Sequence, residues 1–205
     1  MTFGLLITAV VAYVIGSDVA LMKTLLSGGA LGLVVIVQFG LVLAMSFGMQ
    51  RMRVGTLTFC FLLYAFSMGI TTSIIFAVYQ VDTIGQVFAI TAGMFGCLAL
   101  YGSTTKKDLS PVGYFLSMAL FGLIIAMVVN IFVHSSGFDL LLSVASVFIF
   151  SGLTAYHSQQ IKSFALQGDT ESDAGHKFAI YGALMLYLNF VNLFFSLLRL
   201  MGRRR

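Results

Sequence analysis

Residues 104–133 read TTKKDLSPVGYFLSMALFGLIIAMVVNIFV, a polar break followed by an apolar run from Val112 to Val133 that holds no charged side chain. A run of that length matches the roughly 20 residues a helix needs to cross the hydrocarbon core of a bilayer. The break before it carries start signals: Asp108 or Ser110 can cap the helix, and Pro111 falls just inside it, where a missing N–H costs nothing. The run is too long for a strand and does not alternate as a porin strand would, so it reads as a membrane-spanning helix.

Working outward, the same pattern recurs on both sides. Apolar runs are expected as helices over 2–16, 25–50, 55–79, 84–102, 112–133, 140–164 and 178–201. Arg51-Met52-Arg53 closes the second, and the longest polar stretch, Gln167 to Lys177, separates the sixth from the seventh. The expected architecture is an all-α integral membrane protein, a single transmembrane domain over 1–205 with seven helices. The first run is short and a signal peptide competes for it, but no Lys or Arg precedes it and no small-x-small site follows near Ser17.

Composition agrees. Of the 205 residues 60% are hydrophobic and 9% charged, whereas a soluble domain carries about 25% charged residues. The formal charge of +4 sits in short clusters at the ends of apolar runs, which is the flank of a membrane helix and not a nucleic-acid surface. Nucleic acid is therefore excluded as a partner, and the lipid bilayer is the expected one. Lys106, Lys107, Arg51 and Arg53 fall in alternate loops with Lys162 and Lys177, whereas the opposite loops hold only Lys23, so the first group is expected on the cytoplasmic side. The Arg203 to Arg205 tail breaks that rule after seven crossings. Cys60 and Cys97 fall mid-run and are expected to be buried, unpaired packing residues. Gly28, Gly32, Gly40, Ala44 and Gly48, spaced in fours and eights along one helix, are expected at helix contacts inside the bundle, with a dimer interface as the alternative.

All seven acidic residues fall in loops or at helix ends. The polar side chains left inside the spans include Gln38, Asn130, His157, Gln159, Gln160, Asn189 and Asn192, each costly in hydrocarbon unless it pairs or faces water. Gln38, Asn130, Gln160 and Asn192 are candidate pore-lining residues. His157 and Asn189 lie at comparable depth on consecutive antiparallel helices, about 10 Å and 17 Å from their shared side at 1.5 Å per residue, so a hydrogen bond between them is expected. The pair is either a proton switch or a neutral histidine satisfied by an amide. Enzyme chemistries fit poorly. The seventh span has no lysine for a retinal, Ser151-Gly152 lacks the turn of an intramembrane serine protease, and His134, His157 and His176 fall on separate segments with no acid beside them in the spans. No catalytic residue, metal site or cofactor is expected.

Several stretches together resemble the Bax inhibitor 1 (transmembrane Bax inhibitor motif) family, bacterial inner-membrane members above all. Tyr101-Gly102-Ser103-Thr104-Thr105-Lys106-Lys107-Asp108-Leu109-Ser110 resembles the signature between its fourth and fifth spans, and Asn130-Ile131-Phe132 the end of its fifth. Gly152 to Tyr156 with Gln160-Ile161-Lys162 resembles its sixth helix, and Gly182 to Leu188 with Phe190 to Phe194 its seventh. Such members usually carry a cytoplasmic N-terminal tail ahead of the first span, so Met1 is expected to be either an internal start or the boundary of a longer chain. The resemblance implies six helices around a central seventh, and a pH-sensitive calcium leak gated by two aspartates that share a proton. Those aspartates align with His157 and Asn189, so the chain departs from the pattern at both gate positions. Two readings follow: a calcium or cation leak modulated by pH through His157, with Ca²⁺ as transported ion, or a non-conducting regulatory protein acting in stress survival or on a membrane protease or other membrane-protein partner.

Overall fold

The computed structural model describes residues 1–18, 20–23, 29–49, 51–166 and 172–202. Among them the long elements are all helices: α1 (Thr2–Ser17), α2 (Ala30–Gly48), α3 (Val54–Thr72), α4 (Val81–Thr104), α5 (Ser110–Val133), α6 (Ser136–Leu166) and α7 (Asp173–Met201). Six of these, α2 to α7, are long and apolar enough to cross a membrane, whereas α1 has 16 residues and falls short of a full crossing.

Helix ends depart from the expected ones for local reasons. The third span is interrupted: after Thr72 the chain turns at Ser73 and Ile74 and resumes as one helical turn, Ile75–Val78. Ser73 Oγ donates to the Ile70 carbonyl at 2.7 Å, a local bond that competes with the helical ladder. Helix α4 begins at Val81, with Asp82 in the first turn where the helix dipole favours a carboxylate. Helix α5 starts where expected, but its N-cap is Leu109, which makes no side-chain cap bond; Asp108 Oδ1 instead accepts the Ser110 N–H at 2.9 Å. At its far end His134 closes α5 in the left-handed conformation, φ +52°, and α6 starts two residues later.

The outward surface is apolar. Phe115, Met118, Phe121 and Phe132 on α5 are 71%, 75%, 69% and 79% exposed. A face of that kind has no place in water and suits lipid.

The chain forms two compact units. The first holds residues 1–81 and 172–187. In it α1 and α3 pack closely at Gly69, where a Cβ would stand 2.6 Å from Val11 Cβ and 2.9 Å from the Thr8 carbonyl, so only glycine lets the backbones approach. Tyr187 on α7 is fully buried, edge-on to Phe61 and Tyr64 at 5.7 and 5.8 Å, and its hydroxyl lies 2.6 Å from Thr8 Oγ1. The α2 stripe corrects its sequence reading. A Cβ on Gly32 or Gly40 would meet nothing within 4 Å, one on Gly48 would meet only Met52 of the following loop, and Ala44 is exposed; Gly28 lies outside the described residues. Spacing in fours identifies a face of a helix but not what that face meets.

The second unit holds residues 82–166 and 188–202. Gly102 on α4 abuts the Ala155 carbonyl on α6, and Gly113 on α5 lies under the Tyr156 ring. Phe190 on α7 packs edge-on between Phe88 and Phe95 at 5.5 and 5.4 Å. The buried hydroxyls of Ser143, Ser146, Thr154 and Ser158 donate to carbonyls four residues back, which satisfies them inside α6 itself.

Candidate functional site

Two neighbouring polar features mark the second unit. The first is the pair His157 and Asn189. Asn189 Nδ2 lies 2.9 Å from His157 Nδ1. Asn189 is 3% exposed and His157 half-buried, with Tyr156 beside it at a ring distance of 5.3 Å. As placed, the amide donates and Nδ1 accepts, which puts the histidine proton on Nε2. The arrangement suits a neutral imidazole. Once Nδ1 is protonated both facing atoms are donors, and the contact survives only if the amide turns its oxygen inward. Among the described residues no carboxylate lies within ion-pair distance of the ring.

The other polar side chains occupy separate positions. Gln38, in the first unit, donates through Nε2 to Thr71 Oγ1 at 2.7 Å. Asn192 donates to the Leu188 carbonyl of its own helix at 2.8 Å, and Asn130 Oδ1 is buried without a hydrogen-bond partner. Gln160 is exposed and lines the cavity described next. Arg51, Arg53, Lys106 and Lys107 are all exposed in loops, and the Arg203 to Arg205 tail lies outside the described residues. Both cysteines are free, but Cys97 is exposed, so its expected burial is corrected: it sits on the outward face of α4, and Cys60 is only half-buried. Among the described residues no three His, Cys, Asp or Glu side chains converge.

The second feature was hidden from the sequence. Gln159 reads there as one more intramembrane amide, yet it reaches the loop between α4 and α5. Its Oε1 accepts the Leu109 N–H at 2.9 Å and its Nε2 donates to the Lys107 carbonyl at 2.7 Å. Lys162 Nζ donates to the Ser103 carbonyl at 2.5 Å. The loop is thus tied to α6, and beside it opens a cavity of about 500 Å³. Inside the loop, the bond from the Ser110 N–H holds the Asp108 carboxyl below its usual range, the Ser110 side chain adding to the effect. Only the contrast of an amide at 159 with the lysines of the loop hinted at this clamp.

Known proteins agree with the resemblance drawn from the motifs. The family model described as inhibitor of apoptosis-promoting Bax1 matches residues 1–205. The inner membrane protein YbhL of Escherichia coli (strain K12) is 43% identical over 208 residues, spanning all of this chain and 88% of that protein. An uncharacterized protein of Borreliella burgdorferi is 42% identical and one of Deinococcus radiodurans 38%, each spanning the whole of this chain and 89% and 87% of the relative. With apolar helices of spanning length and a full-length inner-membrane relative, the chain is a multi-pass protein of the bacterial inner membrane, and it belongs to the Bax inhibitor 1 family.

Proposed function

We propose that this protein is a pH-modulated cation leak, with Ca²⁺ as the transported ion, in which His157 and Asn189 stand where the family's gating aspartates stand. The observation that carries the reading is their 2.9 Å hydrogen bond inside membrane-spanning helices. A polar contact at such depth is expensive to keep unless it is satisfied or used. The reading includes seven helices with the last at the centre, basic loops facing the cytoplasm, and no catalysis by the chain.

The chemistry differs from that of a carboxylate pair. Two aspartates share one proton and, when ionised, attract a divalent cation. A histidine and an amide are uncharged together, and protonation adds a positive charge that repels one. The charges closest along α6 and its tied loop are Lys162, Lys106, Lys107 and Asp108, a net positive set that reinforces the repulsion. Ca²⁺ permeation is therefore expected to fall as pH drops through the histidine's titration.

The test is Ca²⁺ flux into proteoliposomes, comparing the parent with His157→Ala and with the double substitution His157→Asp, Asn189→Asp. Parent flux that falls on acidification, with the fall abolished by His157→Ala, supports the switch. Flux that rises on acidification, or ignores His157→Ala, refutes it. A silent parent made conducting by the two aspartates favours the second reading, a regulatory membrane protein without conduction, which the lack of any carboxylate in the apolar spans supports.

A further inference from the structure

The cavity at the end of α6 is lined by two kinds of side chain. The polar kind comprises three ammoniums, on Lys106, Lys107 and Lys162, and the hydroxyls of Ser110 and Ser163. Asp108 supplies the opposing charge in this lining, and one of its oxygens is already engaged by the Ser110 N–H. Among the described residues none of the three lysines is in an ion pair. Lys162 spends one N–H on the Ser103 carbonyl and keeps two donors and its full charge. Three positive charges thus stand against one negative: Lys106, Lys107 and Asp108 come from a loop whose backbone Gln159 ties down, and Lys162 comes from α6 itself, so the segments that carry them are held in place before any ligand arrives.

The other kind is aromatic and apolar: Tyr114, Tyr156 and Leu166. The Tyr156 ring is seated on Gly113 at the start of α5, where a Cβ would be 2.5 Å from it. Tyr114 is 68% exposed and begins the outward row that continues through Met118, Phe121 and Ile125 along α5. Tyrosine at such a position is the usual anchor of a helix at the level of lipid headgroups. The site thus asks for an anion at one end of its ligand and hydrocarbon at the other.

We propose that this cavity binds the phosphate-bearing headgroup of an anionic phospholipid, with the acyl chains lying along the exposed face of α5. The lysines and serines take the phosphate oxygens, Gln160 and Tyr114 border the headgroup, and the row from Tyr114 to Ile125 covers the chains. Basic recesses between membrane helices hold anionic headgroups on these terms. A soluble phosphate would use the lysines and serines alone and leave the tyrosines, Leu166 and the α5 row idle.

The experiment is native mass spectrometry of the purified full chain released from detergent micelles doped with phosphatidylglycerol, phosphatidylcholine or inorganic phosphate. Phosphatidylglycerol is expected to stay bound where phosphatidylcholine does not, and an excess of inorganic phosphate is expected not to displace it. The pair Lys106→Gln, Lys107→Gln is expected to weaken retention by roughly 25-fold, about fivefold per lysine. Gln160→Glu, which puts a negative charge on the cavity rim without touching the Gln159 clamp, is expected to weaken it as well. Arg51→Gln with Arg53→Gln, basic residues outside the cavity, is expected to leave retention unchanged, whereas general surface attraction would lower it by about fivefold per arginine. Equal retention of both lipids, or an equal loss on removing Arg51 and Arg53, overturns the proposal in favour of general surface attraction. Displacement by inorganic phosphate overturns it in favour of a soluble phosphate ligand.

Discussion

Replacing Thr8 by Val should cost more than replacing Tyr187 by Phe, although each deletes one hydroxyl of the same hydrogen bond. The two oxygens are 2.6 Å apart, and Thr8 Oγ1 also lies 2.8 Å from the Ala65 carbonyl and 3.0 Å from the Gly4 carbonyl. Carbonyls only accept, so Thr8 donates to one of them and the phenol donates to Thr8. Tyr187→Phe removes that donor and leaves Thr8 still donating, a loss of about 0.5–1.5 kcal/mol. Measurements between membrane helices, averaging about 0.6 kcal/mol, favour the lower half of that range. Thr8→Val instead strands a phenol O–H on a fully buried ring, and an unsatisfied buried donor costs about 1–3 kcal/mol. The double variant strands nothing, so it should cost less than the sum of the singles by on the order of 1 kcal/mol. Reversible unfolding of the four proteins in mixed micelles against rising denaturing detergent measures all three differences. Additivity within about 0.3 kcal/mol, or a Thr8→Val milder than Tyr187→Phe, would refute this assignment of donor and acceptor.

Glycine positions separate in the same assay. Gly102→Val drives a side chain into the Ala155 backbone and should cost at least the 1–3 kcal/mol typical of overpacking (roughly), whereas Gly32→Ala meets nothing and should be neutral or gain up to about 1 kcal/mol of helix propensity. The Asp108 carboxyl is held low in the folded protein, so its bond to Ser110 is intact above the ordinary carboxylate range and is lost as pH falls through the lowered value. The Ser110 amide resonance should titrate with a midpoint below that range, and Asp108→Asn should abolish the titration; a midpoint at or above it contradicts the bond. For sidedness, cysteines placed at Lys106 and Lys23 should react with an impermeant thiol reagent from opposite faces of the membrane, and equal labelling from one face would reverse the reading of the basic loops.

The sequence carried different parts of this structure with unequal force. Helix α5 was legible because three signals coincide in eight residues: lysines, a capping side chain and Pro111, followed by an uninterrupted apolar run. The break after Thr72 was not, since no Gly or Pro marks it; a serine bonding back to Ile70 does the work, and serines occur in many unbroken helices. Helices α4, α6 and α7 start earlier than the apolar runs suggest because Asp82, Asp139 and Asp173 belong to their first turns, where polarity counted as loop. His157 and Asn189 could be matched because depth along consecutive helices is simple arithmetic. The cavity could not, because its lysines lie 55 positions apart and are joined by the side chain of Gln159, whose reach no spacing rule reports.

Helix α6 shows why these features share one end of one unit. Successive residues of a helix are turned by about 100°, so four consecutive positions sample its whole circumference. Ala155 meets α4 at Gly102, Tyr156 meets α5 at Gly113, His157 meets α7 at Asn189, and Ser158 turns back to bond its own Thr154 carbonyl. Gln159 then reaches the loop that joins α4 to α5, and Lys162, about one turn further on, holds the last turn of α4 at Ser103. Each contact uses the residue type its direction demands: a small one where backbones touch, a ring where glycine leaves room, hydrogen-bonding groups where the neighbour is polar. A change at 157 therefore acts on a helix already fixed by Ala155, Tyr156 and Gln159. That is the physical reason to expect His157→Ala or His157→Asp to alter the local polarity of the α6–α7 contact while the rest of the unit keeps its packing.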